Sequence, residues 1–189
     1  MRRLSIWLLA LALQGIAFGA VAQEAYAVGS AGRSNWAIEC GPSSCQRSTS
    51  AWRVAAGYRF NRVVALEAFY ADFGGARSSD FLLDGSLGAT GAGVQTLIGW
   101  QFGDFDFAGK IGAARMRNNF RASPTSAYPS ATVYRNELIG GLMGAYRITP
   151  NLAVRLDVDI VTVALDGDFV FYARGSDVTT LMLGLMFRF

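Results

Sequence analysis

Histidine is absent from this chain of 189 residues, and cysteine occurs only twice, at Cys40 and Cys45. Without an imidazole the usual general base at neutral pH is missing. The Ser78-Ser79-Asp80 run then has no evident partner and reads as a surface turn. The two cysteines are separated by four residues, which excludes the two-residue spacing of a redox pair. In an exported chain they are expected to form a disulfide that staples a short loop, contributing ~2 kcal/mol at most. Asp166, Asp168 and Asp177 lack the spacing of a Ca²⁺ loop. No catalytic, cofactor or metal site is therefore expected.

Long apolar runs are also missing beyond the N-terminus, so no helix is expected to span a membrane. Nothing rich in proline or resembling a linker divides the chain, which favours a single domain. Mean hydropathy is nevertheless +0.27 and 52% of the residues are hydrophobic. High apolar content without a helical span suggests alternating strands.

The N-terminus carries Arg2 and Arg3, an apolar stretch from Leu4 to Phe18, and then Ala20-Val21-Ala22. This is the pattern of a secretory signal peptide over residues 1–22. Cleavage there leaves one domain, 23–189, of 189 − 22 = 167 residues. Removing two of 17 basic residues leaves 15 against 14 acidic ones, a balance that gives no reason to expect a nucleic-acid partner.

Period-two patterning recurs eight times. Trp52, Val54, Ala56, Tyr58 and Phe60 share one face of a strand, with Arg53, Ala55, Gly57 and Arg59 on the other. The same alternation runs through Val64–Tyr70, Ala92–Gln101, Phe105–Ala114, Glu137–Arg147, Leu152–Thr162 and Leu181–Phe189. A further strand near Ala25–Ser34 is too rich in Gly and Ala for its facing to be assigned. Short turns at Asn61-Arg62, Gly103-Asp104 and Thr149-Pro150-Asn151 alternate with long loops near 35–50, 74–90, 118–132 and 165–176. Eight antiparallel strands with short turns at one end and long loops at the other predict an all-β, up-and-down transmembrane barrel.

Alternation alone does not say which face is outside. The apolar face carries no charge and collects aromatics such as Tyr58, Phe60, Trp100, Phe105 and Phe187 near the short-turn end. An eight-stranded interior is too narrow for so many rings. The other face is small and charged, as a filled lumen requires. The apolar face is therefore expected to meet lipid.

Gly57-Tyr58-Arg59-Phe60-Asn61, Ala65-Leu66-Glu67, Tyr70-Ala71-Asp72-Phe73-Gly74, Gly109-Lys110-Ile111-Gly112-Ala113-Ala114-Arg115, Thr149-Pro150-Asn151-Leu152 and the closing Phe187-Arg188-Phe189 together resemble the OmpA-like family of small outer-membrane barrels. The resemblance implies a bacterial outer-membrane location. It also implies an assembly signal in Gly184, Phe187 and Phe189, read by the outer-membrane assembly machinery after escort by periplasmic chaperones. It further implies a lumen closed by ion pairs, for which Arg53, Glu67, Lys110, Glu137, Arg155, Asp157 and Asp159 are the candidates. Larger members append a peptidoglycan-binding domain; none is expected in this chain.

The leading expectation is a monomeric structural barrel with a plugged lumen and surface loops. A small-solute pore or an adhesin is the alternative. Arg115, Arg117 and Arg121 cluster near the loop end, with Arg77, Arg135 and Arg174, and suit the phosphates of lipopolysaccharide.

Overall fold

Alternating apolar sequence, interrupted by turn-forming Asn, Gly and Pro, folds here into one closed sheet. The computed structural model describes residues 24–37, 45–79, 84–122, 130–163 and 176–189. The expected leader lies outside them, as does Cys40 and with it the Cys40–Cys45 pairing. Eight long strands run in chain order: β1 (Glu24–Trp36), β3 (Ser48–Arg59), β4 (Val64–Ser79), β5 (Asp84–Phe102), β6 (Phe105–Ala122), β7 (Ala131–Arg147), β8 (Leu152–Val163) and β9 (Ser176–Arg188). A two-residue strand, β2 (Cys45–Gln46), caps the upper edge of β4. All pairings are antiparallel, β1 pairs with β9, and β4–β5 contact closes the ring into a barrel.

Side-chain acceptors hold the short turns. Asn61 Oδ1 accepts from the backbone N–H groups of Val63 and Val64, each at 2.8 Å. Gly103 takes a positive φ of 58°, which glycine adopts without steric cost. Thr149 Oγ1 accepts from Leu152 N at 3.1 Å, and Asn151 Nδ2 donates to the Arg188 carbonyl at 2.9 Å.

At the other end the strands run further than their hydrophobic alternation. The segments 74–90 and 118–132, expected as loops, begin and end in paired strand: β4 reaches Ser79, β5 starts at Asp84, β6 ends at Ala122 and β7 starts at Ala131. A bulge shifts the β4–β5 register between Asp72 and Gly75. Gly74 sits there at φ 65°, its N–H donating to Asp72 Oδ1 at 2.8 Å. Beyond the bulge the inward phase moves from odd to even residues, so Ala76 is buried and Arg77 exposed. Once the strands leave lipid their outward face turns polar. A search for apolar alternation therefore stops short of the paired backbone.

The apolar face is the outer one. Leu138, Leu142 and Ile111 are 75%, 65% and 63% exposed, levels that a water-soluble core would not leave on view. On β6 the outward residues from Phe105 to Ala113 are uncharged, and Arg115 follows ten residues after Phe105. At strand rise and barrel tilt that separation is about 25 Å, the height of the apolar band. Aromatic pairs mark the short-turn rim, with Phe105–Tyr146 at 4.8 Å and Tyr58–Phe60 and Phe187–Phe189 at 5.2 Å. Trp52–Tyr70 at 5.6 Å stands at the opposite rim. The facing of β1 is now fixed: Tyr26, Val28, Ser30, Ser34 and Trp36 are buried inside, while Ala25, Gly29 and Ala31 face out.

The lumen differs from the expected small and charged lining. Two apolar layers fill much of it. One gathers Trp36, Phe69, Phe73, Met116, Ile139 and Val161; the other, Tyr26, Val28, Leu97, Met143 and Met186. Glycine makes room for them. A Cβ at Gly57 would overlap the Tyr26 ring, whereas one at outward-facing Gly29 would meet nothing within 4 Å. Gly57→Val is expected to cost about 1–3 kcal/mol through overpacking, and Gly29→Val to be near neutral. The check is the shift of the guanidinium unfolding midpoint in detergent.

Candidate functional site

Between the two apolar layers lies a closed ring of alternating charge. Arg53 Nη2 donates to Glu67 Oε1 at 2.5 Å, and Arg155 Nη1 to Glu67 Oε2 at 2.6 Å. Arg155 Nε continues to Asp157 Oδ2 at 2.8 Å, and Lys110 Nζ joins Asp157 Oδ1 at 2.6 Å. Lys110 Nζ also reaches Asp159 Oδ1 at 2.5 Å, and Arg53 Nη1 donates to Asp159 Oδ2 at 3.0 Å, closing the circuit. Three cations and three anions sum to zero. None of the six side chains is more than 1% exposed.

Local sequence explains how strands supply this ring. Arg155, Asp157 and Asp159 are successive inward positions of β8, so one strand presents three charges in a column. Glu67 on β4 stands across the barrel from them, and β3 and β6 contribute Arg53 and Lys110. Lys110 is the only lysine in the chain. Glu67 is the hub: Gln95 Nε2 from β5 donates to its Oε1 at 2.8 Å, and Tyr26 Oη from β1 donates to its Oε2 at 3.3 Å. Arg53 also stacks its guanidinium 4.4 Å from the Phe69 ring centroid, joining the ring to the upper apolar layer.

Six of the seven lumen candidates thus meet. Glu137 does not. It faces inward on β7, half-buried, one inward step above Ile139 of the upper apolar layer. Among the described residues it forms no ion pair, because that layer separates it from the ring. The β7 position at ring height is Gly141, where a Cβ would stand 2.7 Å from Asp159 Oδ1. Space for a neighbour's carboxylate, rather than a charge of its own, is what β7 provides.

A second cluster closes the short-turn end. Asp106 Oδ2 accepts from Arg188 Nη2 and, at 3.3 Å, from Arg59 Nη2, while Glu24 lies 3.9 Å from Arg188. Asp106, Gln95 and Tyr26 were missed as site residues. Asp106 had a signal, since its parity between Phe105 and Phe107 puts it inside. Gln95 had none beyond sharing the inward face, and Tyr26 had none at all, because the facing of its strand could not be assigned from sequence. Among the described residues no group of three or more Cys, Asp or Glu gathers to hold a metal ion.

Arg115, Arg117 and Arg121 all lie on the outer face of β6 and are exposed. Arg115 sits 5.9 Å from the Tyr134 ring centroid, and Arg117 is opposite both Thr90 and Tyr134 in the ladders. Arg77 and Arg121 flank Ser86 on the same outer surface. Arg135 instead faces inward, and Arg174 lies outside the described residues. Of the C-terminal trio, Phe187 and Phe189 are exposed on the outer rim, whereas Gly184 faces inward against Ser30 of β1.

The profile of the family described as "Outer membrane protein beta-barrel domain" matches residues 6–189. Among solved structures, Neisserial surface protein A (NspA) is similar with a TM-score of 0.61 and 12% identity, over 87% of this chain and 97% of that one. Ail of Yersinia pestis, solved with the heparin analogue sucrose octasulfate, gives 0.55 and 18% over 89% and 100%. A major outer membrane protein of Thermus thermophilus gives 0.53 and 14%, also over 89% and 100%. No curated protein matches the sequence.

Removing Glu67 leaves two buried guanidinium groups without their shared carboxylate. Glu67→Ala is expected to destabilise the barrel by about 3–5 kcal/mol. Arg59→Ala, at the wetter end cluster, is expected to cost markedly less. Unfolding midpoints followed by the loss of heat-modifiable gel mobility check the contrast; equal effects would contradict the central place of Glu67.

Proposed function

Because the chain belongs to the outer membrane protein beta-barrel domain family, we propose that it acts as a structural, non-conducting barrel of the bacterial outer membrane. The observation that carries this reading is the filled lumen. A neutral ring of ion pairs spans the barrel, and an apolar layer covers it on each side. An ion crossing this plug would have to break buried charge pairs and pass dry side chains, each step costing several kcal/mol. The chain's lack of histidine adds support for a role without catalysis.

Envelope attachment is the second part of the reading. The exposed arginines of β6 stand at the height of the outer-leaflet headgroups, beside Tyr134 and Arg77. Their forked donors match phosphate oxygens of lipopolysaccharide. The same chemistry suits sulfated or phosphorylated surface saccharides, and the Ail structure with sucrose octasulfate makes that partner worth testing. Phe187 and Phe189, with Gly184, serve in this reading as the signal for the assembly machinery, and the folded barrel works as a monomer.

Planar bilayers containing the refolded protein are expected to show negligible steady conductance; large, stable single-channel steps would refute the plug. Replacing Arg115, Arg117 and Arg121 together by Gln is expected to lower the lipopolysaccharide retained on detergent extraction, measured as phosphate per barrel. Unchanged retention would remove the attachment role while leaving the plug intact.

A further inference from the structure

The short-turn mouth of the barrel holds a cavity of about 420 Å³ whose lining includes Arg59, Arg62, Arg147, Arg188, Glu24 and Gln101. Short turns place this end on the periplasmic side. Four arginines and one carboxylate, Glu24, line it, with Asp106 buried beneath, so the lining and its floor together carry 4 − 2 = 2 net positive charges. Asp104 in the adjoining turn is exposed and lines no part of it.

The arginines are not equivalent. Arg188 and Arg59 are taken by Asp106. Arg147, at the inward-facing foot of β7, has its Nε buried without a hydrogen-bond partner. Among the described residues no carboxylate pairs with it. A guanidinium half-withdrawn from water, with no carboxylate beside it, gains more from an anionic ligand than a fully solvated one does. Arg62 stands exposed at the entrance, in the turn that Asn61 shapes.

We propose that this periplasmic mouth binds a doubly charged phosphate ligand, with Arg147 as the inner contact and Arg62 as the outer one. Arginine forks grip phosphate oxygens two at a time, and every cation of the lining is arginine. Two charges in one compact group, as a phosphate monoester carries near neutral pH, offset the excess of the cavity, and pyrophosphate more than offsets it; a single carboxylate offsets half of it. A soluble phosphoryl compound of the periplasm and the twin phosphates of cardiolipin in the inner leaflet both supply this chemistry.

The full refolded chain in an uncharged maltoside detergent, titrated calorimetrically with pyrophosphate at fixed ionic strength, tests the site. Saturable one-to-one binding is expected, weakened about tenfold or more in Arg147→Gln, the loss of one charge-assisted contact. Arg62→Gln, on an exposed turn where folding is not at stake, is expected to weaken it several-fold. Competition by cardiolipin in mixed micelles supports the site and assigns it to lipid; lack of competition beside intact pyrophosphate binding supports a soluble ligand. No binding, or binding equally strong in both variants with heat-modifiable mobility preserved, overturns the proposal.

Discussion

Glu67 carries the constraint on which the rest of this barrel depends. A carboxylate so deeply buried is tolerable only if donors surround it. Arg53, Arg155, Gln95 and Tyr26 do so from four other strands. Arg155 lies 88 residues away in sequence and Asp159, at the far side of Arg53, lies 106 from that arginine. The ring is therefore satisfied only when β8 has come round to complete the cylinder. A one-residue slip of β8 would turn Arg155, Asp157 and Asp159 toward lipid, so the charges specify register as well as closure. Whether the ring adds net stability over an apolar filling is a separate question. Buried ion pairs often do not, and specificity is their better-supported use.

The apolar layers follow from the ring. Low polarity above and below keeps water from the ion pairs and strengthens each one. A narrow cylinder cannot give every inward position a large side chain, so bulk and absence alternate around it. Tyr26 lies over Gly57, Asp159 enters the space at Gly141, and Gly184 lets β9 close against Ser30 of β1. Inward glycines, wasteful on the surface of a soluble sheet, are here the complement of inward rings and carboxylates.

Strand number, order and, outside β1, facing were legible because lipid enforces them residue by residue. Each outward side chain from Phe105 to Ala113 had to be uncharged, and parity then assigned Lys110 inside without further knowledge. Parity could not supply height along the axis. Glu137 and Gly141 share a face of β7, and nothing local says that the glycine, four residues nearer the periplasm, stands at the level of the ring. Height depends on the stagger of neighbouring strands, a property of the whole cylinder. The bulge at Gly74 was hidden for a related reason. It lies where lipid no longer constrains the outward face, so the apolar pattern had already ended. Phe69 and Phe73 mark the other misjudgement: their inward parity was readable, but a polar lumen was assumed.

Electrostatic neutrality at the centre shifts the weight of function to the two ends. The ring consumes three cations and three anions and leaves no charge to attract a ligand. Among the described residues the excess positive charge sits elsewhere, in the outer arginines of β6 and β4 and in the arginines of the periplasmic mouth. These two basic zones differ in geometry. The outer one is a convex surface at headgroup height, suited to many weak contacts with a dense phosphate layer and sensitive to salt. The inner one is concave, half-buried and narrow, where one unpaired guanidinium is worth more than several exposed ones. On the proposed reading the filled lumen between them keeps the two zones chemically independent, so that a ligand at either mouth acts through its own contacts and not through a shared pore.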